Sequence, residues 1–112
     1  MNSITSYALA GLTAASERVS IRAQNIANQQ TEGYRPIEPV QTADAGGPVV
    51  TARQAPPDQA QQKIPGTDFV VPGTDLASEI VDTIESSILY KANAKVLKTS
   101  AELDKSLLDI VT

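Results

Sequence analysis

Few residues of this chain could do chemistry, and the gaps among them are informative. There is no histidine and no cysteine, so serine–histidine and cysteine–histidine catalysis are excluded, along with the usual zinc sets. Gly46-Gly47 is followed by no Gly-Lys-Ser/Thr and makes no phosphate loop. Glu79, Asp82 and Glu85 stand at helical spacing, the arrangement of an acid/base pair or a cation cluster. Nothing apolar surrounds that side of the helix, so the three read as a solvated face. Pro36-Ile37-Glu38-Pro39, after Arg35, has the PxxP spacing of a polyproline ligand, and otherwise reads as a plain loop. The amides Gln24, Asn25, Asn28, Gln29 and Gln30 are neutral and can both donate and accept. Either they are a fraying helix end, or they satisfy buried backbone groups at a subunit contact. Tyr34 follows Gly33, which permits a positive φ, and reads as an anchor packed on the helices at a bend. No cofactor and no metal are expected.

Three segments must position these residues: 1–32, an N-terminal helix; 33–75, a Pro/Gly-rich piece; and 76–112, a long C-terminal helix. In the first, residues 3–28 carry Ala8, Leu12, Ala15, Val19, Ala23 and Ile26 on one narrow stripe at 100° per residue. The steps of four and three are those of a helix–helix seam. Ala10, Ala14 and Ile21 form a smaller patch almost opposite. Ser3 is a candidate N-cap, and Asn28 and Gly33 are exit signals.

The middle segment holds all seven prolines and five of the six glycines. Its β-prone runs, Val49-Val50-Thr51 and Phe69-Val70-Val71, suit a hairpin or a few short strands without a core of their own. Asp58 to Gln62 is polar enough to be mobile. Leu76 to about Ile110 then predicts a helix of roughly 50 Å at 1.5 Å per residue. Asp75 is its expected N-cap, and Glu79 lies in the first turn where the dipole favours an acid. Leu76, Ala77, Ile80, Val81, Ile84 and Ile88 share one side of its first half. In the second half Lys91, Lys95, Lys98, Glu102, Lys105 and Asp109 take that side, and apolar residues fill an arc of about 200°. One partner helix cannot cover such an arc.

A chain of 112 residues is at most one ordinary domain, and this one has three Tyr, one Phe and no Trp. Alanine supplies much of its apolar content and buries little area per residue. The isolated chain is therefore expected to be only partly ordered and to gain order by packing against others. The net charge of −4, without blocks of one sign, suits neither nucleic acid nor an anionic membrane. No apolar run is long enough to span a membrane. No basic residue precedes Ile4–Leu12, so a cleavable signal peptide is not expected. Without cysteine, the redox compartment is not legible.

Two signatures carry a resemblance. Ala10-Gly11-Leu12-Thr13-Ala14-Ala15, Gln24-Asn25-Ile26-Ala27-Asn28 and Thr31-Glu32-Gly33-Tyr34-Arg35 resemble the amino-terminal signature of bacterial flagellar rod and hook axial proteins. Gln24 stands where that pattern has Asn, and Glu32 where it has Pro. Asp75-Leu76-Ala77-Ser78-Glu79-Ile80-Val81 and Tyr90 to Thr99 resemble the carboxyl-terminal signature, and the short middle is most similar to the proximal-rod type. The resemblance implies a mainly α protein in which antiparallel N- and C-terminal helices pair like a coiled coil, joined by an irregular Pro/Gly-rich segment with short strands. It implies a structural, non-enzymatic subunit of the basal-body rod. Such subunits polymerise with copies of themselves and other axial proteins into a helical tube that transmits torque and encloses the export channel. It further implies a periplasm-spanning location, reached through the flagellar export apparatus without cleavage.

Subunit packing is expected from Ala8, Leu12, Ala15, Val19, Ile21 and Ile26 of the first helix. Asn25, Asn28, Gly33 and Tyr34 join them at the bend. Ile80, Ile84 and Tyr90, then Asn93, Ala94, Leu97 and Leu108, contribute from the last helix. Leu12, Val19 and Ile26 are expected to face the apolar arc of the last helix, leaving Ala10, Ala14 and Ile21 for neighbouring subunits. The rival reading is a helical-hairpin adaptor that presents Pro36–Pro39 to a partner.

Overall fold

The computed structural model describes residues 3–56, 61–73 and 75–111. The expectation of mobility for Asp58 to Gln62 falls mostly outside those residues. The chain is mainly helical: helix α1 spans Ser3–Ala27 and helix α2 spans Leu76–Val111. Between them lie β1 (Ile37–Asp44), β2 (Gly47–Gln54), β3 (Gln61–Lys63) and β4 (Val70–Pro72). They form two separate antiparallel pairs, β1 with β2 and β3 with β4. The molecule is a rod, 75 × 23 × 14 Å.

The helix ends form where local chemistry stops them. Asp75 Oδ1 accepts from the backbone N–H of Ala77 at 3.1 Å, and its Oδ2 accepts from the Ser78 hydroxyl at 3.0 Å. This satisfies a donor that the first turn otherwise leaves open. At the other junction Asn28 caps the end of α1 with its own side chain, Nδ2 donating to the Gln24 carbonyl at 2.9 Å. Gly33 then turns the chain with φ +76°, a conformation that costs a glycine little.

α1 and α2 run antiparallel. Thr5 meets Ser100, Gly11 lies against Asn93, and Arg22 meets Glu79. The seam is not the one the apolar pattern predicts. On α2 the buried residues are Glu79, Ser86 and Ser100, which with half-buried Asn93 recur every seven residues. Opposite them, Ala8 and Ala15 are buried, whereas Leu12, Val19 and Ile26 are half-buried and Ala23 is exposed. Small residues bring the backbones close: a Cβ on Gly11 would stand 2.6 Å from Asn93 Nδ2. The large apolar residues of α2, including Ile80, Val81, Ile84 and Ile88, face away from α1 and stay exposed. A seam that pairs alanines with serines excludes bulky side chains, so the apolar arc turns outward.

The hairpin β1–β2 covers the second face of α1. Ala14, Ile21 and Val50 form a buried cluster, with Ile37 packed against it. The expectation that Ala14 and Ile21 would be left for neighbouring subunits is thus corrected: Ile21 is 8% exposed because the strands close over it. Burying Ile21 and Val50 contributes about 2 kcal/mol each. At the hairpin tip Gly47 has φ +119°, and a Cβ there would meet Ala10 Cβ at 2.8 Å. Tyr7 ties down the same end, its hydroxyl donating to the Ala45 carbonyl at 3.1 Å.

Pro36–Pro39 is neither a plain loop nor a free polyproline segment. Ile37 to Pro39 are in register with Gln54 to Ala52, and the Pro36 carbonyl accepts from Ala55 N at 2.9 Å. A segment bonded this way cannot be offered to a partner as PxxP, which removes the basis of the adaptor reading.

Candidate functional site

The most highly organised cluster of polar side chains lies where α1, the start of β1 and the first turns of α2 converge. At its centre Asn25 is 1% exposed. Its Nδ2 donates to the Ile37 carbonyl at 2.7 Å and to Glu79 Oε1 at 3.2 Å. Its Oδ1 accepts from Ile37 N at 2.8 Å and from the Tyr34 hydroxyl at 3.1 Å. An amide has two N–H donors and two carbonyl lone pairs, so every one of them is occupied. Asn25 thus treats Ile37 as a neighbouring strand would, and pins the first residue of β1 to α1.

Below Asn25 lies a charged layer. Arg22 reaches both oxygens of Glu79, at 3.2 and 3.3 Å, and its other terminal nitrogen pairs with Asp82. Glu79 is 6% exposed. The solvated-face reading therefore fails for Glu79 and Asp82, although Glu85 stays exposed. A buried carboxylate is tolerated here because Arg22 and Asn25 together supply its hydrogen bonds. Burial, and then the nearby Glu79 charge, raise the Tyr34 phenol above its ordinary value. Tyr34 therefore stays protonated and keeps donating to Asn25.

Arg35 secures the far side of the hairpin root. Its Nε and one terminal nitrogen both donate to the Ala55 carbonyl, at 3.0 and 2.6 Å. The Gly33 N–H donates to the Val70 carbonyl at 3.3 Å, which ties β4 to the same turn. Gly33, Tyr34, Asn25 and Arg35 thus form one clasp with Glu79 and Arg22. Among the described residues no group of acidic side chains has the arrangement to hold a metal ion. What the clasp can do is hold: it joins both helices and both strand pairs at one end of the rod.

The predicted packing residues separate into two sets. Ala8, Ala15, Ile21 and Asn25 are closed within the chain, and Asn28 is engaged by Gln24 and Thr31. Asn93, Ala94 and Leu97 are half-buried along the seam, whereas Ile80, Ile84, Tyr90 and Leu108 are exposed. Arg22, Glu79 and Asp82 were absent from the predicted set. Their signal was present in the chain direction: antiparallel helices that leave at Tyr34 and return at Asp75 bring residues 22–25 level with the first turns of α2.

Residues 71–110 match the family model for the flagellar basal body rod FlgEFG protein C-terminal. The match supports a flagellar rod and hook family. It runs from β4 through nearly all of α2, and so includes Glu79, Asp82 and the exposed apolar face. Proteins of the flagellar rod family are structural, not enzymatic. No curated protein matches the chain. No helix among the described residues is long and apolar enough to cross a membrane.

Proposed function

We propose that this chain is a rod subunit of the proximal type. It polymerises with copies of itself and other axial proteins into a helical tube that transmits torque and encloses the export channel. It reaches the rod through the flagellar export apparatus without cleavage, and α1 and α2 pair in it as a short antiparallel coiled coil.

The observation that carries this reading is the outward face of α2. Ile80, Val81, Ile84 and Ile88 are 43 to 61% exposed along one side, while the seam beneath is built from alanine, serine and asparagine. Contiguous apolar surface of this kind marks an interaction site. The core is correspondingly small: among the described residues, four of the six buried apolar side chains are alanines. Such a chain gains its order by assembling. An open tube follows when a subunit contact is head-to-tail and does not close.

The test is to purify hook–basal bodies from the bacterium that encodes the chain, and to remove its gene. The chain should be present in the rod fraction with its amino terminus unprocessed, and its loss should stop rod completion and motility. Absence from purified basal bodies, with normal motility in the deletion strain, overturns the reading.

A further inference from the structure

Arg18 is a half-buried cation without a carboxylate. Among the described residues its side chain makes one bond, Nη1 donating to Gln41 Oε1 at 3.2 Å, while its Nε is buried and meets no acceptor. A guanidinium carries five N–H donors, so most of them are unused within the chain. Arg22, one turn further along α1, has both Glu79 and Asp82. The register of the helix pair explains the difference. Arg22 meets Glu79 and Gly11 lies against Asn93, which brings Arg18 level with Ser86 rather than with an acid. The Ser86 Oγ is itself buried and unbonded, and Glu85 beside it is exposed.

The guanidinium borders a cleft of about 220 Å³ between α1, the hairpin and α2. Gly11 and Arg18 line it from α1, Gln41 and Pro48 from the hairpin, Leu89 and Asn93 from α2. Those other walls are neutral, so Arg18 sets the sign of the site and attracts a negative group where water screens it less. One cation suits one unit of negative charge, a carboxylate, and the net charge of −4 disfavours polyanions. The volume lies below the range of about 300–1,000 Å³ usual for small-molecule sites, and it suffices for a single side chain. A free carboxylate gains too little from one cation to offset its lost freedom. A side chain carried in by a docked protein arrives already positioned. Arginine holds carboxylates with two parallel bonds and is weakly hydrated, which suits it to such a contact.

We propose that the Arg18 cleft receives an Asp or Glu side chain from a neighbouring protein. Nη1 and Nη2 donate to its carboxylate, and Gln41, which is exposed, turns aside. The inference rests on the rod-subunit reading and gives it an ion-pair contact away from the outward apolar face of α2. The unmatched charge then belongs to the isolated chain alone and is completed on assembly.

Arg18→Met keeps an apolar stem and removes the charge. Urea unfolding of the isolated chain, in an osmolyte that populates the folded state, should show stability unchanged or raised, because no buried counter-charge is left behind. Incorporation into basal bodies should nevertheless fall about tenfold, the effect of losing one charge-assisted pair, and Arg18→Lys should recover part of it. Arg18→Glu should stop motility. Its motile revertants should exchange an acidic residue for Lys or Arg at one recurring position outside the cleft, and the gene that carries the exchange names the partner. A stability loss in Arg18→Met as large as that in Arg22→Leu would make Arg18 a structural residue and overturn the inference. So would normal incorporation of Arg18→Met, or revertants in which no acid-to-base exchange recurs. The parent chain is fractionated in parallel. Its absence from basal bodies removes the rod reading, whereas its presence beside a normally incorporated Arg18→Met removes only the cleft.

Discussion

Asn25 grips Ile37 by both of its backbone polar groups, donating to the carbonyl at 2.7 Å and accepting from the N–H at 2.8 Å. The hairpin β1–β2 therefore starts at a fixed point on α1, and the strands that follow land on Ala14 and Ile21. Asn25→Ala would leave the Ile37 backbone, the Tyr34 hydroxyl and Glu79 each short of a partner. The expected loss is about 3 kcal/mol, read as a shift in urea unfolding in an osmolyte that populates the folded chain. A loss below about 1 kcal/mol, the net worth of one ordinary hydrogen bond, would show that the clasp does not hold the hairpin.

Two arginine pairs should differ sharply. Arg22→Leu strands Glu79 in a buried site and is expected to cost about 3–5 kcal/mol. Arg53 pairs with Glu38 at 2.9 Å, but both side chains are at least half exposed, and Arg53→Leu should cost less than about 1 kcal/mol. Equal effects in the same urea experiment would mean that the Arg22 layer is no more than a surface pair.

Ile21→Asp and Ile84→Asp separate folding from assembly. Ile21 is packed under Val50, so a carboxylate there should disrupt the chain itself by several kcal/mol. Ile84 is 56% exposed, and its replacement should leave the helicity of the soluble chain unchanged while blocking incorporation into basal bodies. Normal incorporation of Ile84→Asp would remove the outward face of α2 from the assembly.

The Tyr34 phenol is raised, first by burial and then by the Glu79 charge. Its neutral form is favoured in the folded chain, so its contribution to stability is complete below the unfolded value of about 10. That contribution is lost as pH climbs through the higher folded value. Unfolding followed from pH 8 to 11.5 should show an alkaline loss of stability that is smaller in Tyr34→Phe. Phenolate absorbance should show a late-titrating component in the parent chain that Tyr34→Phe removes. An identical alkaline profile in both chains would rule Tyr34 out.

The extent of both helices was legible in the sequence because it depends on local rules. The three- and four-residue spacing, the Asp75 cap and the Gly33 break act over a few residues, and each stands where the chain says. The two β-prone runs were legible for the same reason. Periodicity alone could not say which face of α2 meets α1, since hydrophobicity ranks faces without knowing how closely two backbones approach. Gly11, Ala8 and Ala15 bring the helices so near that Ser86, Asn93 and Ser100 fill the closest approach, and Ile80, Val81, Ile84 and Ile88 are turned out. The burial of Glu79 was likewise beyond any local pattern. It becomes tolerable only once antiparallel packing brings Arg22 and Asn25 to it from more than fifty residues away. Tertiary structure decided also that Ile21 is interior, because the hairpin that covers it is placed by Asn25.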